Sequence, residues 1–312
     1  RLSLLQNLAA IADVDLRKDF DSVALFALKD ETGSVRAQAA RMLVENDSLD
    51  LAHSLYDMVR QDPDPEARAA AASTLGKFVY LGELEEISEK TLHKIEDCLL
   101  SVTANDPDVL VRRCALEALG FSSRPEVPAL ISQAYADPDP DWVSSALFAM
   151  GRSYDERWEA DVKRQLRSPN AEIQIQAVKA AGELGLDSCR RILLDLLEEE
   201  GTDVEIRAEV IWSLSNIGGE EVRGALNDRL EKTDDENESD LIEEALENLD
   251  LSEQISAMDL FDIDLEEEAH SAHVVDLSLQ DDSDAEPPEQ DGGTDDTQTP
   301  AKGTSRHRHK KS

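Results

Sequence analysis

Three kinds of residue in this chain have side chains that could do chemistry: six histidines, three cysteines, and an aspartate–arginine pairing that recurs along the length. The histidines are His53, His93, His270, His273, His307 and His309, and none of them sits in an HExxH pattern or directly before a glutamate. His270 and His273, three residues apart and next to Glu266, Glu267 and Glu268, have the only spacing that suggests a metal, yet the segment around them reads as unfolded. Cys98, Cys114 and Cys189 lie far apart with no CxxC and no histidine at ligand spacing. An odd count without a framework reads as reduced thiols with packing roles. No nucleophile with a partner base, phosphate-binding glycine loop or metal cluster converges anywhere in the chain.

The aspartates and arginines carry more information because they repeat. An Asp or small residue, an Arg or substitute six positions on, an Ala three further and a Leu seven further recur. They stand at Asp30, Arg36, Ala39, Leu43, at Asp62, Arg68, Ala71, Leu75, and at Asp106, Arg112, Ala115, Leu119. Weaker copies are Asp137, Val143, Ala146, Met150, then Ser168, Gln174, Ala177, Ala181, then Arg207, Val210, Leu214, with a degenerate seventh at Asp234 and Asp240. Starts at 30, 62, 106, 137, 168, 201 and 234 give steps of 32, 44, 31, 31, 33 and 33, the regularity of a repeat array. The third step is about twelve residues long for its place, and the surplus is expected around Phe78 to Ser88 as a loop or a lengthened helix.

Each step holds two helical stretches. With the Arg position as zero, positions −1, 3 and 7 form one apolar helical face. A second amphipathic stretch precedes it, as at 50–60, 126–136, 188–197 and 220–230. Asp-Pro at 62–63, 106–107 and 137–138 is expected to end the first helix and open the second, the Asp capping it. Gly76, Gly120, Gly151, Gly182, Gly185 and Gly218 fall near the second helix's end, where a left-handed cap is expected. Such a unit cannot bury its apolar face alone, and a stack of units can. Arg1, Leu4 and Leu8 fit the second-helix positions, so the chain is expected to begin inside a repeat.

Composition agrees. With 40% hydrophobic but only 4% aromatic residues the chain favours helices over a β fold. A formal net charge of −38 disfavours nucleic acid and anionic lipid as partners. Residues 231–300 hold 26 acidic and one basic residue, and the last twelve, with Lys302, Arg306, Arg308, Lys310 and Lys311, are basic. No apolar run is long enough to cross a bilayer. The expected organisation is an array over 1–249, an acidic-apolar segment over 250–279 and a disordered tail over 280–312.

The Asp-Pro-Asp-x-x-Val-Arg-x-x-Ala-x-x-x-Leu-Gly unit, clearest at 106–120, resembles a short HEAT repeat, similar to those first associated with phycobilin lyases. The resemblance implies an all-α, right-handed α-solenoid of two-helix repeats with second helices lining the concave side. It also implies that Asp30, Arg36, Asp62, Arg68, Asp106, Arg112 and Arg207 form a structural ladder bracing adjacent repeats. Some HEAT-like enzymes hold di-iron through His-Glu pairs, and HEAT-like DNA glycosylases have a basic groove; neither pattern occurs here. Positions 2, 5 and 9 face outward, which makes Phe121, Phe148, Arg152, Lys179 and Trp212 the candidate partner-binding residues. Met258, Leu260, Phe261, Ile263 and Leu265, within a stretch alternating apolar and acidic residues, read either as a last cap, a partner-binding motif or a linker. The expected function is a non-enzymatic protein-binding scaffold or adaptor, cytoplasmic, without cofactor or metal, a monomer or part of a hetero-complex. The alternative is a chromophore-lyase-like or cofactor-maturation factor acting with a second HEAT-like subunit.

Overall fold

The computed structural model describes residues 1–15 and 18–275, and the side chains of 13, 14 and 256–275 lie outside the description. The chain divides into two units, Arg1–Ser256 and Ala257–Ser312. Among the described residues every regular element is helical. The helices are α1 (Leu2–Val14), α2 (Asp21–Ala27), α3 (Gly33–Met42), α4 (Leu49–Gln61), α5 (Pro65–Glu83), α6 (Glu89–Asn105), α7 (Val109–Ala118) and α8 (Val127–Tyr135). They continue as α9 (Pro140–Arg152), α10 (Glu159–Gln165), α11 (Ala171–Glu183), α12 (Arg190–Glu198), α13 (Val204–Ile217), α14 (Glu220–Leu230) and α15 (Glu236–Val275).

The first unit is an α-solenoid. Each first helix packs on the second helix that follows it, in the pairs α2–α3, α4–α5, α6–α7, α8–α9, α10–α11 and α12–α13. The second helices also stack on one another without a break, from α1 on α3 through α5, α7, α9 and α11 to α13. First helices touch at fewer steps, as α4 does α6 and α12 does α14. The apolar face explains this layering. All twelve residues at positions 3 and 7 of the first six repeats, from Ala39 and Leu43 to Val210 and Leu214, are fully buried. Burial continues into α15 at Ile242, Ala245 and Leu249. Most of these side chains are alanine and leucine, which lose little rotamer freedom in a helix while filling the interface between layers.

The turns differ in detail from the expectation drawn from Asp-Pro. Asp62 and Asp106 close α4 and α6 rather than opening the next helix. Each folds back to accept a hydrogen bond from the N–H two residues on, at 2.9 Å from Asp64 and from Asp108. The cap is the next aspartate: Asp64, Asp108, Asp139 and Asp203 accept from N–H groups of α5, α7, α9 and α13, and Asn170 does so for α11. Pro65 and Pro140, not Pro63 and Pro138, occupy the first helical positions, where a missing N–H costs nothing.

The glycines are corrected too. Gly76, Gly120, Gly151 and Gly182 do not adopt the left-handed conformation; of the six, only Gly185 (φ 60°) and Gly218 (φ 69°) do. The four occupy position 8, where second helices approach most closely. A Cβ there would stand 3.1 Å from Ala118 Cα, 3.0 Å from Ala149 Cα, 3.0 Å from Ala180 Cα and 2.7 Å from Ser213 Cα, respectively. A row of absent side chains against a row of small ones lets the stack close.

The long third step is spent on length, not on a loop. Helix α5 runs 19 residues and α6 runs 17, joined by a short turn in which Glu85 has φ 61°. The segment Ile255 to Leu265 is helical backbone within α15, whereas the side chains of Met258, Leu260, Phe261, Ile263 and Leu265, and the whole of 276–312, lie outside the described residues.

Candidate binding surface

The ladder comes first because it fixes how one repeat sits on the next. Arg36 donates from Nη1 to the Asp30 carbonyl at 2.7 Å, and its Nε and Nη2 reach both carboxylate oxygens of Asp62 in the next repeat at 2.7 and 2.6 Å. Arg68 repeats the arrangement on the Asp62 carbonyl and on Asp106, each at 2.9 Å. Arg1 reaches Asp30 at 2.7 Å through one nitrogen and stays exposed, and in α1 the buried residue is Leu5 whereas Leu4, expected at buried position 3, is exposed. The Arg36–Asp62 and Arg68–Asp106 rungs are forked, charge-assisted contacts with side chains about nine-tenths buried. Burial works to raise the Asp62 and Asp106 carboxyls, but the arginine and backbone hydrogen bonds outweigh it and hold both below the ordinary range.

The rungs then stop. Arg112 donates to the Asp106 carbonyl at 2.7 Å, and among the described residues no ion pair carries it to the next repeat. Valine and glutamine follow at positions 143 and 174, with Gln174 Nε2 keeping the turn bond to the Leu166 carbonyl at 2.9 Å. Arg207 reaches the Thr202 carbonyl at 3.0 Å and lies 3.8 Å from Glu238, so the seventh repeat's acceptor is Glu238 rather than Asp234 or Asp240. Arg229 and Thr233 also bond Glu238.

The outward face of the second helices carries the candidate binding residues. Phe121 and Phe148 are half-buried, not free. The Arg152 guanidinium lies over both rings, 4.8 Å from the Phe121 centroid and 4.0 Å from that of Phe148, and Tyr80 meets Phe121 at 5.0 Å. Crowding by surrounding protein lowers the Arg152 pKa, although Glu183 and Glu117 attract its charge. Lys179 pairs with Glu209 at 3.4 Å. Trp212 alone among the three candidate aromatics is open to solvent, at 43% exposure. The structure therefore brings Phe121, Phe148 and Arg152 into one stacked cluster and places Lys179 and Trp212 on the next two repeats of the same face.

Sequence reasoning missed the carboxylates between them. Glu117 accepts from Ser145 Oγ at 2.5 Å, and burial still pushes its carboxyl up. Glu183 is raised by the same cause, partly offset by Arg152 and Lys179. Arg113 is drawn off to Asp141 at 3.2 Å. Glu117, Arg113 and Asp141, together with Ser144, Ser145, Phe148, Glu172 and Gln176, line a hollow of about 370 Å³. Their signal was available in the repeat register: Glu117 stands at position 5 and Glu183 at position 9, like the aromatics. Tyr154, 70% exposed just beyond Arg152 with φ 50°, had no such signal, since it lies in a turn outside the repeat pattern.

No group of three or more His, Cys, Asp or Glu among the described residues is arranged to hold a metal ion. Cys98 and Cys189 are buried and Cys114 half-buried, all three free thiols whose pKa burial raises. No described helix is long and apolar enough to cross a membrane.

The family model described as HEAT repeats matches residues 22–101 and 160–247, more than half of the chain. The chain belongs to the HEAT repeat family. No curated protein matches it. Among solved structures, this HEAT array is similar to the complex of CpcE and CpcF of phycocyanin lyase from Nostoc sp. PCC7120, at 18% identity over 74% of this chain and 95% of that one, with a TM-score of 0.47. It is also similar to human deoxyhypusine hydroxylase (16% identity, 79% and 88% coverage, TM-score 0.38) and to an archaeal HEAT-like repeats protein from Thermococcus onnurineus NA1 (15%, 78% and 93%, TM-score 0.32). These likenesses are of fold.

Proposed function

We propose that the array is a non-enzymatic scaffold or adaptor that holds a segment of a partner protein on the concave, second-helix face. The observation that carries this reading is the composition of that face: an exposed tryptophan at its C-terminal end, an arginine-stacked aromatic cluster, and carboxylates whose burial is unfavourable until something neutralises them. The cations there are engaged, Arg113 by Asp141, Lys179 by Glu209 and Arg152 by two rings. Glu117, Glu172 and Glu183 are the charges left over, so the partner segment brings an apolar anchor for Trp212 and one or more Lys or Arg side chains.

The test is capture of partners on the intact chain, identification by mass spectrometry, and affinity measurement on Trp212→Ala. Truncating an anchoring aromatic is expected to weaken binding by about 2 kcal/mol, some thirtyfold, with the circular-dichroism melt unchanged. Undiminished affinity in Trp212→Ala would remove the face from the reading. The maturation-factor alternative rests on resemblance alone, and capture of a second HEAT-repeat subunit together with a chromophore-bearing or cofactor-bearing protein would favour it instead.

A further inference from the structure

We infer that the first-helix side of the array, between α4 and α6, is a second binding site whose occupant is an acidic segment of a partner protein. Lys90 and Lys94 stand one turn apart on α6 with His93 between them, and Tyr56 and Arg60 stand one turn apart on α4. These residues line an open hollow of about 710 Å³, with Cys98 and Ser101 farther along α6. The Lys94 ammonium lies 4.3 Å from the centroid of the Tyr56 ring and the Arg60 guanidinium 5.2 Å from the same centroid. One ring thus faces two like charges, one from each helix. Of the acids in the hollow, Asp97 is held by Arg124 at 3.0 Å, and Glu89 sits in the first turn of α6, where the helix dipole favours it. No carboxylate among the described residues lies within ion-pair distance of Arg60, Lys90 or Lys94, although the chain carries 69 acidic residues. Only eight lysines occur in residues 1–255, and two are on this one turn.

The arrangement selects the ligand. Converging backbone N–H groups, which would cradle a single phosphate, are not on offer here, because Ser88 already caps α6 by accepting from the Thr91 N–H at 3.2 Å. The cations are spread over two helices around an open hollow, which suits several carboxylates spaced along a peptide. A net charge of −38 repels nucleic acid and anionic membrane at long range, whereas a short acidic segment feels chiefly the local cations once salt screens the rest. Lys90 and Lys94 stand at the start of α6, the 17-residue first helix of the long third repeat.

The experiment is fluorescence anisotropy of labelled octaglutamate titrated with the full-length chain at physiological ionic strength. Saturable binding is expected, at least tenfold weaker in Arg60→Gln/Lys94→Gln, weaker in Lys90→Gln, and falling with added salt. Lys29→Gln/Lys163→Gln, which removes the same charge elsewhere, and Trp212→Ala, which tests the other face, should both bind as the parent does. Absence of saturable binding, or equal loss in the two double variants, would overturn the site. Displacement of the peptide by inorganic phosphate as readily as by unlabelled octaglutamate would mark a small-anion site and overturn the peptide reading.

Discussion

Arg68 and Arg112 hold the same place in successive repeats and have the same turn carbonyl bond, yet only Arg68 reaches across to the next repeat. The difference fixes their worth. Removing Arg68 leaves Asp106 buried without its partner, a loss expected to cost about 3 kcal/mol or more. Arg112→Ala removes one carbonyl hydrogen bond and should cost about 1 kcal/mol. Urea midpoints measured on the two variants should separate accordingly, and equal costs would mean that the fork to Asp106 contributes nothing. The recurring Asp and Arg were legible in the sequence as a ladder, but its span was not: whether an arginine finds a carboxylate depends on the backbone position of the next turn, and Asp137 carries the right residue type without making the contact.

The titrating groups pull in opposite directions with pH. Asp62 and Asp106 are held below the ordinary carboxylate range, so the stability they supply is present at neutral pH and is lost as pH falls through their folded values. Glu117 and Glu183 are raised, so their ionisation opposes folding at neutral pH and protonating them adds stability. Mild acidification should therefore raise the melting temperature before stronger acid lowers it, the rise set by the glutamates and the fall by the ladder aspartates. Glu117→Gln should raise the neutral-pH midpoint and flatten the rise. An unchanged pH profile in that variant would place Glu117 in water.

At the scale of the helix, the layering followed from positions −1, 3 and 7, because a period of 3.6 puts them on one stripe and a stripe must be covered. The two errors share one cause. Aspartate before proline and glycine near a helix end are local signals with ordinary local uses, whereas here both serve contacts between repeats. Glycine makes the point measurable. Gly182 abuts Ser213, so Gly182→Ala forces the backbones of α11 and α13 apart and is expected to cost roughly 1–3 kcal/mol. Gly224, inside α14 with nothing within 4 Å of where its Cβ would be, should instead gain up to about 1 kcal/mol on becoming alanine. Thermal or urea unfolding of the two variants decides it, and a stabilising Gly182→Ala would show that the second helices are not in close contact at position 8.

At the scale of the array, each repeat touches only its neighbours, so its stability is a sum of local interfaces rather than a property of one core. That organisation also governs how the two proposed surfaces relate. Tyr56, Arg60 and Lys94 belong to the second and third repeats on the first-helix side, and Trp212 to the sixth repeat on the second-helix side. Several interfaces separate them, and sites that share no side chain and no packed neighbour should add independently, within about 0.5 kcal/mol. The same locality predicts how damage spreads. Arg68→Ala weakens the interface between the second and third repeats, so amide hydrogen exchange should accelerate in α3, α5 and α7 while α11 and α13 keep most of their protection. Faster exchange of equal size in all five helices would mean that the array opens as one unit, and a scaffold of that kind would couple its two faces rather than present them separately.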